Sequence, residues 1–229
     1  MATSPYIVRP ISASNLLGEA NLHPVCRRIL AARDVQSVAE TDYSLARLLP
    51  PDAIRNLREA AELLANCLLQ DRSILIFGDY DVDGATSTAL CIRAMALFGY
   101  QNTAYLMPDR FIDGYGLSAS SAQRIVELEP DCVITVDNGI SSHDGISLLR
   151  EHSIDVIVTD HHLPADDLPN ASVIVNQNAW PDEKQGKNLA GVGVAFYLML
   201  ALRKSLREMG WLASSEPNPI CPAALIWWP

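Results

Sequence analysis

Ile74-Leu75-Ile76-Phe77-Gly78-Asp79-Tyr80-Asp81-Val82-Asp83-Gly84 is the stretch on which the reading turns. Four consecutive aliphatic or aromatic residues without polar alternation read as a strand buried on both faces, as in a parallel sheet. Three carboxylates follow at alternate positions, bounded by glycines. The same sentence structure recurs downstream, with aliphatic runs over residues 103–106, 132–136, 155–158 and 172–175. Helical stretches are expected between and after them, over residues 85–98, 118–128, 143–152 and 192–209, each with an apolar face. Short strands alternating with helices predict an α/β fold with a doubly wound, mainly parallel sheet.

Upstream, residues 1–70 carry Arg27, Arg28, Arg33, Arg47, Arg55 and Arg58 in helix-like surroundings, and Pro50-Pro51-Asp52 opens a helical pattern over residues 53–69. The expected organisation is a helical lead-in over 1–70, an α/β domain over 71–210, and an irregular segment over 211–229. That last segment has a single charge, Glu216, four prolines and a bare Ile226-Trp227-Trp228.

Composition bounds the function. The chain has 229 residues, 49% of them hydrophobic, with 17 Lys+Arg against 27 Asp+Glu and a formal net charge of −10. That length supports a sizeable core, and the acidic balance speaks against a protein held on nucleic acid by bulk charge while leaving room for a local basic channel. The five cysteines are odd in number and widely spaced, which indicates neither a disulfide framework nor a zinc knuckle. The longest uncharged apolar stretch, residues 189–202, is shorter than the ~20 residues of a membrane span, and no leader opens the sequence, so a soluble, cytoplasmic protein is expected.

In open α/β sheets, ligands bind beyond the carboxyl ends of the strands. After the first run stand Asp79, Asp81 and Asp83; after the third, Asp137-Asn138-Gly139; after the fourth, Thr159-Asp160-His161-His162. Crowded carboxylates stay ionised when cations sit among them, and a mixed Asp and His shell suits Mn²⁺ or Mg²⁺ better than a thiolate-preferring metal. A pair of such ions can stabilise both oxygens of a phosphoryl displacement, so phosphoester hydrolysis is the chemistry indicated.

Each piece has a plainer reading. Asp79 to Gly84 fits the first six positions of an EF-hand loop, but position twelve is Leu90 and the preceding segment is strand-like. Asp137-Asn138-Gly139 alone is a turn, and Asp160-His161-His162 alone could be a surface turn. In residues 107–118, Arg110 could fork onto a phosphate, Tyr115 could stack on a base, and Gly114 and Gly116 would let backbone approach a ligand; Ser118 reads equally as a helix cap. Residues 189–193 place small residues at a helix start, where N–H groups favour an anion or a close sheet contact.

Taken in order, Gly78 to Gly84, Met107 to Ser118, Val136 to Gly139 and Asp160 to His162 resemble the four motifs of the DHH phosphoesterase superfamily. Asn188-Leu189-Ala190-Gly191-Val192-Gly193-Val194-Ala195-Phe196 is similar to a stretch typical of its single-strand-specific exonuclease branch. The resemblance implies processive 5′-to-3′ degradation of single-stranded DNA to mononucleotides, in recombination and repair, with two ions of Mg²⁺ or Mn²⁺. By motif position it makes Asp81, Asp83, Asp137 and His161 metal ligands. Asp79 and Asp160 support that shell as catalytic residues, and His162 faces the scissile phosphate. Arg110, Tyr115, Gly116 and Asn138 would bind substrate, and a single-strand-binding protein and a helicase would be partners.

Two departures accompany it. Members of that branch are more than twice this long, with a second catalytic subdomain and an oligonucleotide-binding barrel. They also supply a further Asp ligand from a segment that should begin near Pro219, where this chain reads Ile220-Cys221-Pro222-Ala223-Ala224-Leu225-Ile226-Trp227-Trp228-Pro229. Codons GAT CTG GTG GCC for Asp-Leu-Val-Ala, read one base later, give Ile-Trp-Trp-Pro, so a frameshift is the expected origin of this ending. The corresponding expectation is a catalytic core with little or no activity and poor solubility on its own. A phosphoesterase for oligoribonucleotides, cyclic dinucleotides or pyrophosphate, and an inactive remnant module, are the competing readings.

Overall fold

The computed structural model describes residues 22–212, apart from residues 43 and 184. The expectations for the start of the lead-in and for the irregular ending, including the further Asp ligand and the frameshift, fall largely outside the described residues. The chain divides into two compact units, Met1–Leu49 and Pro50–Pro229. In the first, helix α1 (Pro24–Ala31) starts with proline at its first turn, where no N–H is needed, and the His23 side chain accepts from Val25 N. Two 3₁₀ turns follow, Val38–Thr41 and Leu45–Arg47.

In the second unit, α2 (Leu57–Leu69) precedes β1 (Ile74–Phe77), α3 (Val82–Leu97), β2 (Thr103–Leu106), α4 (Ala119–Val126), β3 (Cys132–Val136), α5 (His143–Glu151), β4 (Asp155–Thr159), β5 (Val173–Val175) and α6 (Gly191–Glu208). The five strands form one all-parallel sheet in the order β2-β1-β3-β4-β5. Inner strands β1 and β3 are buried throughout, as their unbroken aliphatic runs require, whereas β2 lies at the edge with Tyr105 exposed. Leu75, Phe77, Val133, Val156 and Val158 meet Ala122, Ile125, Ile146 and Leu149 in one core layer, which places α4 and α5 on that face. Helix α6 packs against α2 and α3. The helix α2, grouped with the lead-in on sequence, lies within the second unit through this contact, and Asn56 at its entry donates to Ile174 O at 2.9 Å.

The strands stand where the aliphatic runs put them. One helix boundary differs in a way that matters: α3 begins at Val82 and not at residue 85, because the Asp81 carboxylate caps it, accepting from Gly84 N at 2.9 Å. The carboxylate cluster is therefore partly a helix start rather than a free loop.

Candidate metal centre

The strand order reverses between β1 and β3, and the crevice at such a reversal is where open α/β sheets bind ligands. Asp79, Asp81 and Asp83 leave β1 there, Asp137 leaves β3, and Asp160-His161-His162 leaves β4 next door. Close backbone approach makes the cluster tight: a side chain on Gly84 would begin 2.6 Å from Asp79 Cα. Asp137 adopts a left-handed backbone, φ 63°, which aspartate tolerates better than most residues.

Of the anion or close sheet contact that the start of the last helix could take, the chain itself supplies the anion. Asp83 Oδ2 accepts from Gly191 N and Oδ1 from Val192 N, both at 2.7 Å, so the first turn of α6 is held by a carboxylate from the first turn of α3. Each Asp83 oxygen keeps a second lone pair, and Oδ2 lies 3.7 Å from His161 Nε2.

Asp137 is the centre of the cluster. It is 1% exposed, and its Oδ1 has no hydrogen-bond partner; His161 Nε2 lies 3.1 Å away without making one. Burial, then the neighbouring Asp83 and Asp81 charges, pushes the Asp137 carboxyl up to about 8. Burial likewise raises Asp79, with Asp81 and Asp160 adding to it. Ligand atoms of Asp79, Asp81 and Asp137 fall within 4.8 Å of one another, as do those of Asp137, His161 and His162. A buried aspartate shared by one all-oxygen and one mixed N/O donor group, with an unpartnered Oδ1, fits hard divalent cations.

Asp160 is buried and fully engaged. Its Oδ2 accepts from Ile140 N at 2.9 Å; its Oδ1 accepts from His161 N, His162 N and the His162 imidazole Nδ1. Burial alone would raise this carboxyl, but the hydrogen bonds from His162 and Ile140 outweigh it and hold it below the usual range. The Asp160 bond in turn raises His162. With Nδ1 turned to Asp160, His162 Nε2 points outward and meets Tyr115 OH at 3.1 Å.

Tyr115 belongs to the loop over residues 107–118, whose shape is fixed from inside. Asp113, 2% exposed in its side chain, accepts from Asp109 N at 2.7 Å and from Arg124 at 2.9 Å. Gly116 is buried with φ 70°, a conformation glycine adopts freely, and Leu117 N bonds Ser142 Oγ. Ser118 caps α4 by accepting from Ser121 N. Arg110 is exposed, its guanidinium carbon 5.4 Å from the Tyr80 ring centre, and Tyr80 meets Tyr115 edge-on. Asn138 departs from the expected substrate contact: it is 1% exposed, and its amide bonds the Val136 and Phe77 carbonyls, holding the ends of β3 and β1 together. A side chain just after a central strand is aimed into the sheet as readily as away from it.

Sequence reasoning passed over Asn176, Asn178 and Tyr80. The asparagines follow β5 at the same rim and donate to the His162 and His161 carbonyls. The rule that singled out the residues after the other strands would have found them here too.

The chain belongs to the DHH family: residues 73–219 match the family's N-terminal domain. Within that class it is similar to the single-stranded-DNA-specific exonuclease RecJ of Salmonella typhimurium, 47% identical over 200 residues that cover 87% of this chain and 35% of the relative. Among solved structures it is similar to Thermus thermophilus RecJ in complex with Mn²⁺, with a TM-score of 0.66 and 32% identity over 84% of this chain and 27% of that one. A second is exonuclease RecJ bound to manganese, with a TM-score of 0.63 and 38% identity over 69% and 40% of the two chains. The chain spans about a third of the length of the curated relatives it matches.

Proposed function

We propose that this chain carries the metal-dependent catalytic core of a 5′-to-3′ exonuclease acting on single-stranded DNA in recombination and repair. The observation that carries the reading is Asp137, a buried aspartate common to both donor groups whose Oδ1 has no hydrogen-bond partner. Asp81, Asp83, Asp137 and His161, with Asp79 beside them, would hold Mn²⁺ or Mg²⁺, which would supply Lewis-acid stabilisation of charge on the phosphoryl oxygens. Asp160 fixes the His162 ring through Nδ1, so Nε2 is the atom that holds or releases a proton at the scissile phosphate. Arg110 binds a phosphate and Tyr115 stacks on the terminal base, both carried by the tethered loop.

The similarity to RecJ over most of this chain supports DNA over smaller phosphoester substrates. A cytoplasmic location and association with a single-strand-binding protein and a helicase belong to the same proposal. Among the described residues no helix is long and apolar enough to cross a membrane. The test incubates 5′-labelled single-stranded DNA, a short oligoribonucleotide and pyrophosphate with the chain and Mn²⁺, alongside Asp81→Ala, with Mn²⁺ binding measured on both. Mononucleotide release from DNA that Asp81→Ala abolishes supports the reading. Equal Mn²⁺ binding by parent and variant, or turnover of pyrophosphate alone, overturns it.

A further inference from the structure

All four backbone polar groups of the histidine pair are gripped by side chains. Asp160 Oδ1 accepts from His161 N at 2.7 Å and His162 N at 3.0 Å; on the carbonyl side, Asn178 Nδ2 donates to His161 O at 2.6 Å and Asn176 Nδ2 to His162 O at 2.9 Å. The two asparagines are themselves joined, since Asn176 Oδ1 accepts from Asn178 N at 2.9 Å. Asn178 also reaches Lys187 O, and Asn176 is wholly buried at the end of β5.

We propose that Asn176 and Asn178 are positioning residues that set the direction of the His161 and His162 rings through their peptide carbonyls. Two residues after a strand end have no ladder to fix their dihedrals, so their backbone is defined by what bonds to it. With the N–H groups held from β4 and the carbonyls from β5, both Cα–Cβ directions are determined. His161 Nε2 is thereby kept 3.1 Å from Asp137 Oδ1. The grip extends away from the site, because Asn56, at the entry to α2, holds the Ile174 carbonyl of β5 at 2.9 Å. The start of α2 thus anchors the strand end that positions the histidines. Groups that orient ligands in this manner typically change metal affinity by about 10–100-fold when lost. The inference rests on the metal-centre reading for its affinity readout only.

Asn176→Asp and Asn178→Asp keep the shape and the acceptor oxygen but turn an oxygen toward each histidine carbonyl. Gln177→Ala is the control for general loosening, since Gln177 touches neither histidine. Imidazole ¹⁵N–¹H spectra of the metal-free chain should show displaced His161 and His162 resonances in both Asp variants and unchanged ones in the control. Mn²⁺ dissociation constants should rise about 10–100-fold in the Asp variants alone. Unmoved imidazole resonances in a folded variant, or a displacement equal to that of Gln177→Ala, overturn the proposal. Should Asn176→Asp fail to fold, Asn178→Asp, at a less buried position, decides it. A parent chain that binds no Mn²⁺ would defeat the metal-centre reading, and the metal-free spectra would still decide this one.

Discussion

Gly191 stands so close to Asp137 that a side chain on it would begin 2.7 Å from the aspartate's carboxyl carbon. The same glycine gives its N–H to Asp83. One residue at the start of α6 therefore sets the positions of two carboxylates, from β3 and α3. Gly191→Ala should leave the helix intact, alanine being the better helix former, yet displace Asp137. The expected result is a melting temperature within a few degrees of the parent and Mn²⁺ affinity weaker by about 10-fold or more. Calorimetric titration with Mn²⁺ checks it, and an unchanged affinity contradicts the arrangement.

Asp160 accepts four hydrogen bonds from three residues while almost entirely buried. An asparagine there replaces one acceptor oxygen with a donor and leaves at least one buried N–H unmatched, a cost of about 1–3 kcal/mol on top of the lost charge-assisted bonds. Asp160→Asn should lower stability by roughly 3 kcal/mol in urea denaturation. His162 should also return toward its ordinary pKa, because the carboxylate that raises it is gone. An NMR titration of the imidazole that finds it still raised would count against this.

The metal-free chain should lose stability as pH rises. The Asp137 carboxyl is held at about 8 when folded against 3.8 ordinarily, so its contribution is complete below pH 3.8 and lost as pH climbs to about 8. His162 acts in the same sense: raised from 6.5, its contribution is lost as pH rises through the raised value. Asp160, lowered from 3.8, contributes above 3.8 and is lost only as pH falls through its depressed pKa, outside this window. Thermal melts in EDTA should fall between pH 5 and 8.5, while added Mg²⁺ should raise the melting temperature more at pH 8.5 than at pH 6. A flat profile in EDTA would mean that Asp137 ionises normally.

Arg124 reaches out of α4 to the buried Asp113 and so holds the loop that carries Arg110 and Tyr115. Arg124→Ala should slacken that loop without touching the cluster at the strand ends. Mn²⁺ affinity is expected to stay within about two-fold of the parent, while, on the proposed nuclease function, the KM for single-stranded DNA rises about 10-fold with kcat little changed. Steady-state kinetics against oligonucleotide concentration check it; a fall in kcat alone would place the loop in the chemistry instead.

Much of this architecture is visible in short patterns. The runs Ile74–Phe77 and Cys132–Val136 are strands at those very bounds because a doubly covered parallel strand needs an unbroken apolar run. The rule that ligands gather past carboxyl ends then places Asp79, Asp81, Asp137, Asp160, His161 and His162 on one rim. The start of α3 was hidden because Asp81 and Gly84 read equally well as a carboxylate loop and as a capped helix turn.

Which residues follow which strands is legible along the chain, since period and punctuation are local properties. Which lone pair meets which partner was decided by tertiary structure alone. Asp83 finds its two N–H donors 108 and 109 residues away, and Asn138 turns inward to the carbonyl of Phe77, 61 residues earlier. Those meetings exist because the strand order β2-β1-β3-β4-β5 brings β1 beside β3, and because α6 packs against α3; neither fact is carried by any local stretch of residues. Burial completes the division: a carboxylate is charged or protonated, ligand or cap, according to the water and neighbours it is left with, and only the folded chain sets those.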